Sequence, residues 1–224
     1  VLRDGQIIDT KDVENTNHAE IISKMVGRPV EMNFPKRNIE VKDIVLEVKD
    51  LSCAGFVKNI SFTLHRGEIL GIAGLVGSGR TELVEAIFGA RNIQAGEVFL
   101  HGNKIKIRTT ADSKKHSIGL ITEDRKENGL ALPYSVADNT VITNLKKVSK
   151  NGFVNNKMTQ DYTKQYVREL GIKAASIKQS TRNLSGGNQQ KVVLAKWLFS
   201  DIEILIMDEP TRGIDVGSKY EIYL

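Results

Sequence analysis

Leu184-Ser185-Gly186-Gly187-Asn188-Gln189-Gln190, followed shortly by Ile204-Leu205-Ile206-Met207-Asp208-Glu209-Pro210, is the stretch that decides the fold of this chain. Ser185 carries a short oxygen-bearing side chain where a helix N-cap is expected, and Gly186 and Gly187 leave bare N–H groups on the helix start. The second segment is an apolar run closed by two carboxylates and a proline, the pattern of a buried strand ending in acids. Asp208 at such a strand end can reach a magnesium ion, directly or through water. Glu209, expected to point the other way off the strand, suits a general base or a group that orients water.

Upstream, the apolar residues 69–73 read as a fully buried strand and lead into Gly74-Leu75-Val76-Gly77-Ser78-Gly79-Arg80-Thr81. Leu83, Ile87 and Phe88 then recur at helical spacing, with Gly89 as the expected C-cap. A phosphate needs several N–H donors converging on it with no side chains in the way. Glycines at 74, 77 and 79, with Ser78 between them, let the backbone curl around an anion, and the following helix adds its positive end. Thr81 stands where the P-loop motif puts a hydroxyl on magnesium, but the lysine expected before it is Arg80. Arginine keeps the charge, yet its planar fork cannot mimic a compact ammonium, which favours phosphate binding over well-placed hydrolysis. Glu123 follows the strand expected at residues 118–122 and reads either as a further magnesium ligand or as a surface acid.

With 224 residues, 40% hydrophobic and 26% charged, the chain can bury one full domain core with an extra segment attached. No apolar run is long enough to span a bilayer, and the start at Val1 rather than methionine suggests a fragment. Cys53 has no partner for an internal disulfide, which suits a reducing cytosol. His18, His65, His101 and His116 lack metal-ligand spacing. The net charge of +5 includes a basic stretch of Lys104, Lys106, Arg108, Lys114, Lys115, Arg125 and Lys126. Aromatics hardly interleave with these charges, so a solvated face is expected there and not a nucleic-acid surface.

Residues 1–43 read as the tail of a preceding domain: a hairpin remnant turning at Asp4-Gly5, a short amphipathic helix from Glu20 to Val26 ended by Gly27, and a linker marked by Pro29 and Pro35. A new domain begins near Ile44. Residues 45–48 and 60–64 alternate as half-buried strands, and residues 98–100 and 105–107 flank a turn at His101-Gly102-Asn103. From about 128 to 182 the pattern is helical, with Tyr162, Tyr166 and Leu170 forming a packing stripe. A further helix runs from Ser185 through Val193, Trp197 and Leu198.

The glycine loop, the carboxylate strand and the Leu-Ser-Gly-Gly turn, in this order, resemble the ATP-binding-cassette (ABC) ATPases. That resemblance implies an α/β P-loop NTPase domain over residues 44–224, with a mixed sheet core, an antiparallel β subdomain and a helical subdomain at about 128–182. It also implies strands and a switch histidine beyond Leu224, so the expected domain is C-terminally incomplete. The implied cofactors are ATP and Mg2+. Gly74, Gly77, Ser78, Gly79, Arg80 and Thr81 would hold nucleotide; Thr81, Asp208 and Glu123 would hold metal; Glu209 would be catalytic. Ser185, Gly186, Gly187 and Gln189 would close over the nucleotide of a partner domain. Phe56 is a candidate for stacking on adenine.

The runs around Gly74, Thr122-Glu123-Asp124-Arg125-Lys126 and Asn183-Leu184-Ser185-Gly186-Gly187-Asn188 are similar to the second ATPase half of bacterial monosaccharide importers of the ribose, galactose, xylose and arabinose type. Arg80, Glu123 and Asn188 are typical of that half. The partners implied are the first ATPase half of the same polypeptide, membrane permease subunits contacted around residues 130–142, and indirectly a periplasmic sugar-binding protein, with no nucleic acid. The implied place is the cytoplasmic face of the inner membrane, peripherally bound. Two alternatives stay open on sequence grounds: a regulatory nucleotide-binding half without turnover of its own, and a soluble tandem ABC protein acting on ribosomes or DNA.

Overall fold

The computed structural model describes residues 1–3, 5–27, 40–53, 55 and 57–224. The expectations placed on Asp4, Pro29, Pro35 and Phe56 lie outside the described residues.

At the N-terminus, β1 (Leu2–Arg3) pairs antiparallel with β2 (Gln6–Ile7). Helix α1 (His18–Val26) begins two residues earlier than its apolar pattern, because the Asn17 side chain accepts the Glu20 N–H at 2.9 Å. It ends at Gly27, at φ +85°. The next unit is an antiparallel sheet. Its central strand β3 (Ile44–Cys53) is flanked by β4 (Val57–His65) and, past helix α2 (Arg80–Ile87), by β5 (Ile93–Leu100), which carries the edge strand β6 (Asn103–Ile105). Both long strands exceed their expected spans. The turn between β5 and β6 is His101-Gly102, at φ +49° and +75°, so β6 starts at Asn103. Val45, Leu46, Val48 and Leu51 of β3 share one core with Leu83, Ala86 and Ile87 of α2. This contact fixes α2, and with it the glycine loop at its start.

Helix α3 (Thr110–Lys115), closed by a Thr109–Asp112 capping box, leads to β7 (Ile118–Ile121), whose residues are all buried. Helix α4 (Val136–Val141) starts with a second capping box, Ser135–Asp138, and runs into a 3-10 segment at Ile142–Val148. A small hairpin then interrupts the expected helical region: β8 (Ser149–Lys150) and β9 (Phe153–Val154). Asn151 and Gly152, at φ +53° and +84°, make its turn, the Asn-Gly chemistry that favours hairpins. Helices α5 (Asn156–Glu169) and α6 (Gly186–Phe199) pack behind it. Tyr162 meets Phe199 edge-on at 5.3 Å, and Tyr166 and Leu170 join Val192, Val193 and Trp197. That stripe is core packing.

Strand β10 (Ile204–Met207) pairs parallel with β7, and α7 (Val216–Tyr223) follows. The apolar residues 69–73, expected as a buried strand, form no strand here, and Ile69, Leu70 and Ile72 are 75%, 38% and 42% exposed. An apolar run becomes a buried strand only where it pairs with neighbouring strands, and residues 69–73 pair with neither β7 nor β10. The basic stretch is dispersed over several elements: Lys104 pairs with Glu97, Lys115 with Asp112, and Lys114 donates to the Thr143 carbonyl.

Lys196 on α6 is only 8% exposed and donates to the Gly129 carbonyl at 2.5 Å. Burial pushes its pKa from 10.5 down to about 8. Between these values the unfolded chain holds the proton and the folded chain does not, so stability rises with pH across that window. Below pH 8 both states are protonated and the penalty of burying the charge, ~3 kcal/mol, stands in full. The melting temperature should therefore climb from pH 8 to 10 relative to a Lys196→Met variant. A constant difference between the two proteins across that range would contradict the assignment.

Candidate functional site

The parallel register sets Ile121 level with Met207, so Glu123 and the Asp208-Glu209 pair leave the same end of the two strands. The Asp208 N–H extends the ladder by one bond, to the Ile121 carbonyl at 2.9 Å. Carboxyl ends of parallel strands are where open α/β sheets collect ligands. Two side-chain pairs join this end to the glycine loop. Thr81 Oγ1 donates to Asp208 Oδ2 at 2.7 Å, and Arg80 Nη2 donates to Glu209 Oε1 at 3.3 Å.

Both acids thus face the start of α2. The strand alternation that sends Glu209 away from Asp208 does not apply, because β10 ends at Met207 and Glu209 sits at φ +41°. That conformation costs a non-glycine residue ~1–3 kcal/mol and persists where surrounding structure holds it. Here the Arg212 N–H donates to the Glu209 carbonyl at 3.0 Å and closes the turn.

Gly79 is the N-cap of α2, at φ +91°, and Gly77 sits at φ +80°. A Cβ at Gly74 would lie 2.5 Å from Ser78 Oγ, so any side chain there would displace Ser78. Leu75 and Val76 are exposed, and Leu75 accepts the Ser78 N–H at 3.1 Å. This cradle, bare of side chains at three points and leading into a helix start, fits a polyphosphate. Thr81 and Asp208, with their oxygens already adjacent, fit a magnesium ion. No cluster of three or more His, Cys, Asp or Glu occurs among the described residues, so phosphate oxygens and waters would complete its shell. The Glu123 carboxylate, the third expected ligand, is engaged by Arg212.

The second motif makes its own contacts. Ser185 has N-cap backbone angles, but its Oγ accepts from the Asn188 side chain at 2.9 Å and caps no backbone N–H. Asn188 is held in turn by the Lys173 N–H at 2.7 Å. Ser185 is exposed and Gly187 is buried. A Cβ at Gly186 would meet Arg125 Nη2 at 2.7 Å, and one at Gly187 would meet Ser218 Oγ at 2.4 Å. Packing also requires Gly187, where Ser218 Cβ would stand 2.6 Å from a side chain, whereas at Gly186 the tight neighbour is the end of a flexible arginine. Gln189, expected at the nucleotide, is 4% exposed and turned inward: it donates to the Thr181 carbonyl at 3.1 Å and accepts from Arg125 Nε at 3.4 Å. Gln189 lies inside α6, most of whose residues are buried, whereas Ser185 is the exposed N-cap ahead of its first helical residue.

Arg125, Arg212 and Ser218 belong to this neighbourhood and were not singled out by sequence reading. Arg125 stands in the basic stretch and in the run after β7 that resembles the importer half, but neither signal assigns it a role.

Residues 57–212 match the family model for the ABC transporter. The chain belongs to the ABC transporter family. Among curated relatives, a ribose import ATP-binding protein of Geobacillus kaustophilus is 48% identical over 223 residues, covering 100% of this chain and 45% of that protein. A xylose import ATP-binding protein of Thermoanaerobacter pseudethanolicus is 48% identical over 231 residues, covering 100% of this chain and 46% of its own length. The chain thus spans somewhat under half of the curated relatives it matches. A nucleotide-free ATP-binding cassette from an ABC transporter superposes with a TM-score of 0.69 at 18% identity, over 80% of this chain and 74% of that one. At that identity the likeness speaks for the fold, an ABC ATPase domain of α/β class.

Within this ABC domain, Gly74→Ala should weaken binding of a fluorescent ATP analogue about tenfold, equivalent to ~1.4 kcal/mol, because Ser78 must move out of the cradle. The melting temperature should stay near that of the wild type. Unchanged affinity would show that the cradle geometry is not what holds the phosphates.

Proposed function

We propose that this ABC domain is the second ATPase half of a bacterial monosaccharide importer, binding ATP with magnesium and powering a membrane permease. The observation that carries this reading is the double pairing of the glycine-loop end with the carboxylate end of β10, Thr81 with Asp208 and Arg80 with Glu209. The relatives named as ribose and xylose importers support a pentose or related sugar as cargo. Arg80, Glu123 and Asn188 support placement in the second half. No described helix is long and apolar enough to cross a membrane, and in this reading permease subunits provide the passage and a periplasmic protein delivers the sugar. The domain then sits peripherally at the cytoplasmic face.

Gly74, Gly77, Ser78, Gly79 and Arg80 would hold the phosphates, and Thr81 and Asp208 the metal. When bound, magnesium would neutralise charge on the transferring phosphate. Glu209 would accept a proton from water, and Arg80 already engages one of its two carboxylate oxygens, Oε1. An arginine retains several donors where a lysine would present one ammonium, so it can keep the carboxylate occupied while also touching phosphate. The domain's own site is accordingly built to hold ATP more than to turn it over. Its Ser185, Gly186 and Gly187 turn, engaged with Arg125 and Ser218 and not with its own glycine loop, would complete the competent site of the first half.

A regulatory half without turnover is the second reading, favoured by the same Arg80–Glu209 contact. Steady-state ATP turnover of the full-length protein separates the assignments. Ser185→Arg should lower kcat by about 100-fold or more, the scale of losing donors to a developing charge, while Arg80→Ala should cost no more than about threefold. Collapse with Arg80→Ala and normal turnover with Ser185→Arg would mean that this half runs its own site.

A further inference from the structure

Arg125 has no part in the roles assigned so far, yet its guanidinium joins two functional segments that the chain keeps far apart. Nε donates to Gln189 Oε1 on α6 at 3.4 Å. Nη1 donates to the Arg212 carbonyl at 2.9 Å, and Nη2 to the Gly213 carbonyl at 3.5 Å. The same Nη2 fills the space where a side chain at Gly186 would begin. One planar group therefore lies against the glycine turn that opens α6 and against the loop that starts with Glu209.

Both ends of this clasp are anchored. On the near side, Asp124 accepts the Lys126 and Glu127 N–H groups at 2.8 and 3.1 Å, which fixes the backbone that carries Arg125. On α6, the far end of the Gln189 amide is held by the Thr181 carbonyl. In the loop, the Arg212 N–H returns to the Glu209 carbonyl at 3.0 Å, and the Arg212 side chain pairs with Glu123. The hydrogen bonds thus run from Gln189 through Arg125 to the Arg212 carbonyl, and the N–H of that same Arg212 returns to the Glu209 carbonyl. A lysine could not replace this span, because its single ammonium lacks the fixed fork that reaches three acceptors.

We propose that Arg125 is a positioning residue that holds the Ser185, Gly186 and Gly187 turn and the 209–213 loop as one body, so that closure of the turn on a nucleotide is felt at Glu209. Resting on the composite-site reading, this inference makes Arg125 the internal link between the two sites to which this domain contributes. Gln189 is its relay on α6.

The test is ATP turnover of the full-length protein with Arg125→Met, Arg125→Lys, Gln189→Met, the Arg125→Met/Gln189→Met double variant and Ser185→Arg, each with its melting temperature. Both Arg125 variants should lower kcat at least about tenfold, because the turn that completes the site of the first half is no longer held in place, with KM for ATP within about twofold, since the glycine loops that bind ATP are not touched. Their melting temperatures should remain near the wild-type value. The double variant should be no slower than Arg125→Met alone, because both residues act in one link. Arg125→Lys keeps the stem and the charge and so provides the reading if the methionine variant does not fold. Full turnover in Arg125→Lys, or a loss that multiplies with Gln189→Met, would overturn the proposal. Ser185→Arg separates the two readings. Intact turnover there removes the composite site, whereas its collapse beside normal turnover in the Arg125 variants removes only the role of Arg125.

Discussion

Four residue pairs of parallel ladder, from Ile118 with Ile204 to Ile121 with Met207, hold the functional end of this domain in place. Side chains alternate along a strand, so a slip of one residue would exchange the faces of β10 and carry Asp208 away from Thr81. The register is protected by burial. Ile118 and Ile204 lie in one core with the strands of the antiparallel sheet and with α2, while Ile121 lies in a second core with α6. The two cores meet where Phe88, at the end of α2, stands edge-on to Trp197 at 5.6 Å. The glycine loop, the carboxylates and the α6 turn are therefore positioned by packing well away from any ligand.

At the site, the contacts run acid to base and acid to hydroxyl. Thr81 and Asp208 present a small hard-oxygen pair, and Arg80 and Glu209 present a charge pair that nucleotide phosphates would compete for. Exposed ion pairs of this kind are worth little in stability, so the Arg80–Glu209 contact matters for which groups are available and not for holding the fold. The backbone of Glu209 is the costlier element. Its positive φ brings its carboxylate to the same side as Asp208, and the 209–213 loop, gripped by Arg125, keeps it there.

Much of this was legible in the residues. The glycine loop, the strand before the acids, the helix opened by Ser185 and the tyrosine stripe all carry local signals that tertiary packing reinforces. Position 89 illustrates the usual margin: Phe88 caps α2, and Gly89 follows it at φ +76°. Three features were not legible, each for a physical reason. Residues 69–73 have strand composition, but a strand exists only with neighbours. The direction of Glu209 depends on one dihedral angle that alternation rules do not include. Gln189 looks like part of a contact motif, yet tertiary packing buries α6 on nearly every side, and Arg125 and Thr181 occupy its amide. The Asn151-Gly152 hairpin was visible in principle and was masked by the helical pattern on both sides.

The central claim is that the 185–187 turn serves a nucleotide held by another domain. A structure of the full-length protein trapped with ATP and magnesium tests it most directly. The account predicts Ser185 Oγ and the Gly187 N–H at hydrogen-bond distance, about 3 Å, from a γ-phosphate cradled by the glycine loop of the other half. Ser185 facing solvent, with each ATP touched only by the domain whose glycine loop holds it, would contradict the account.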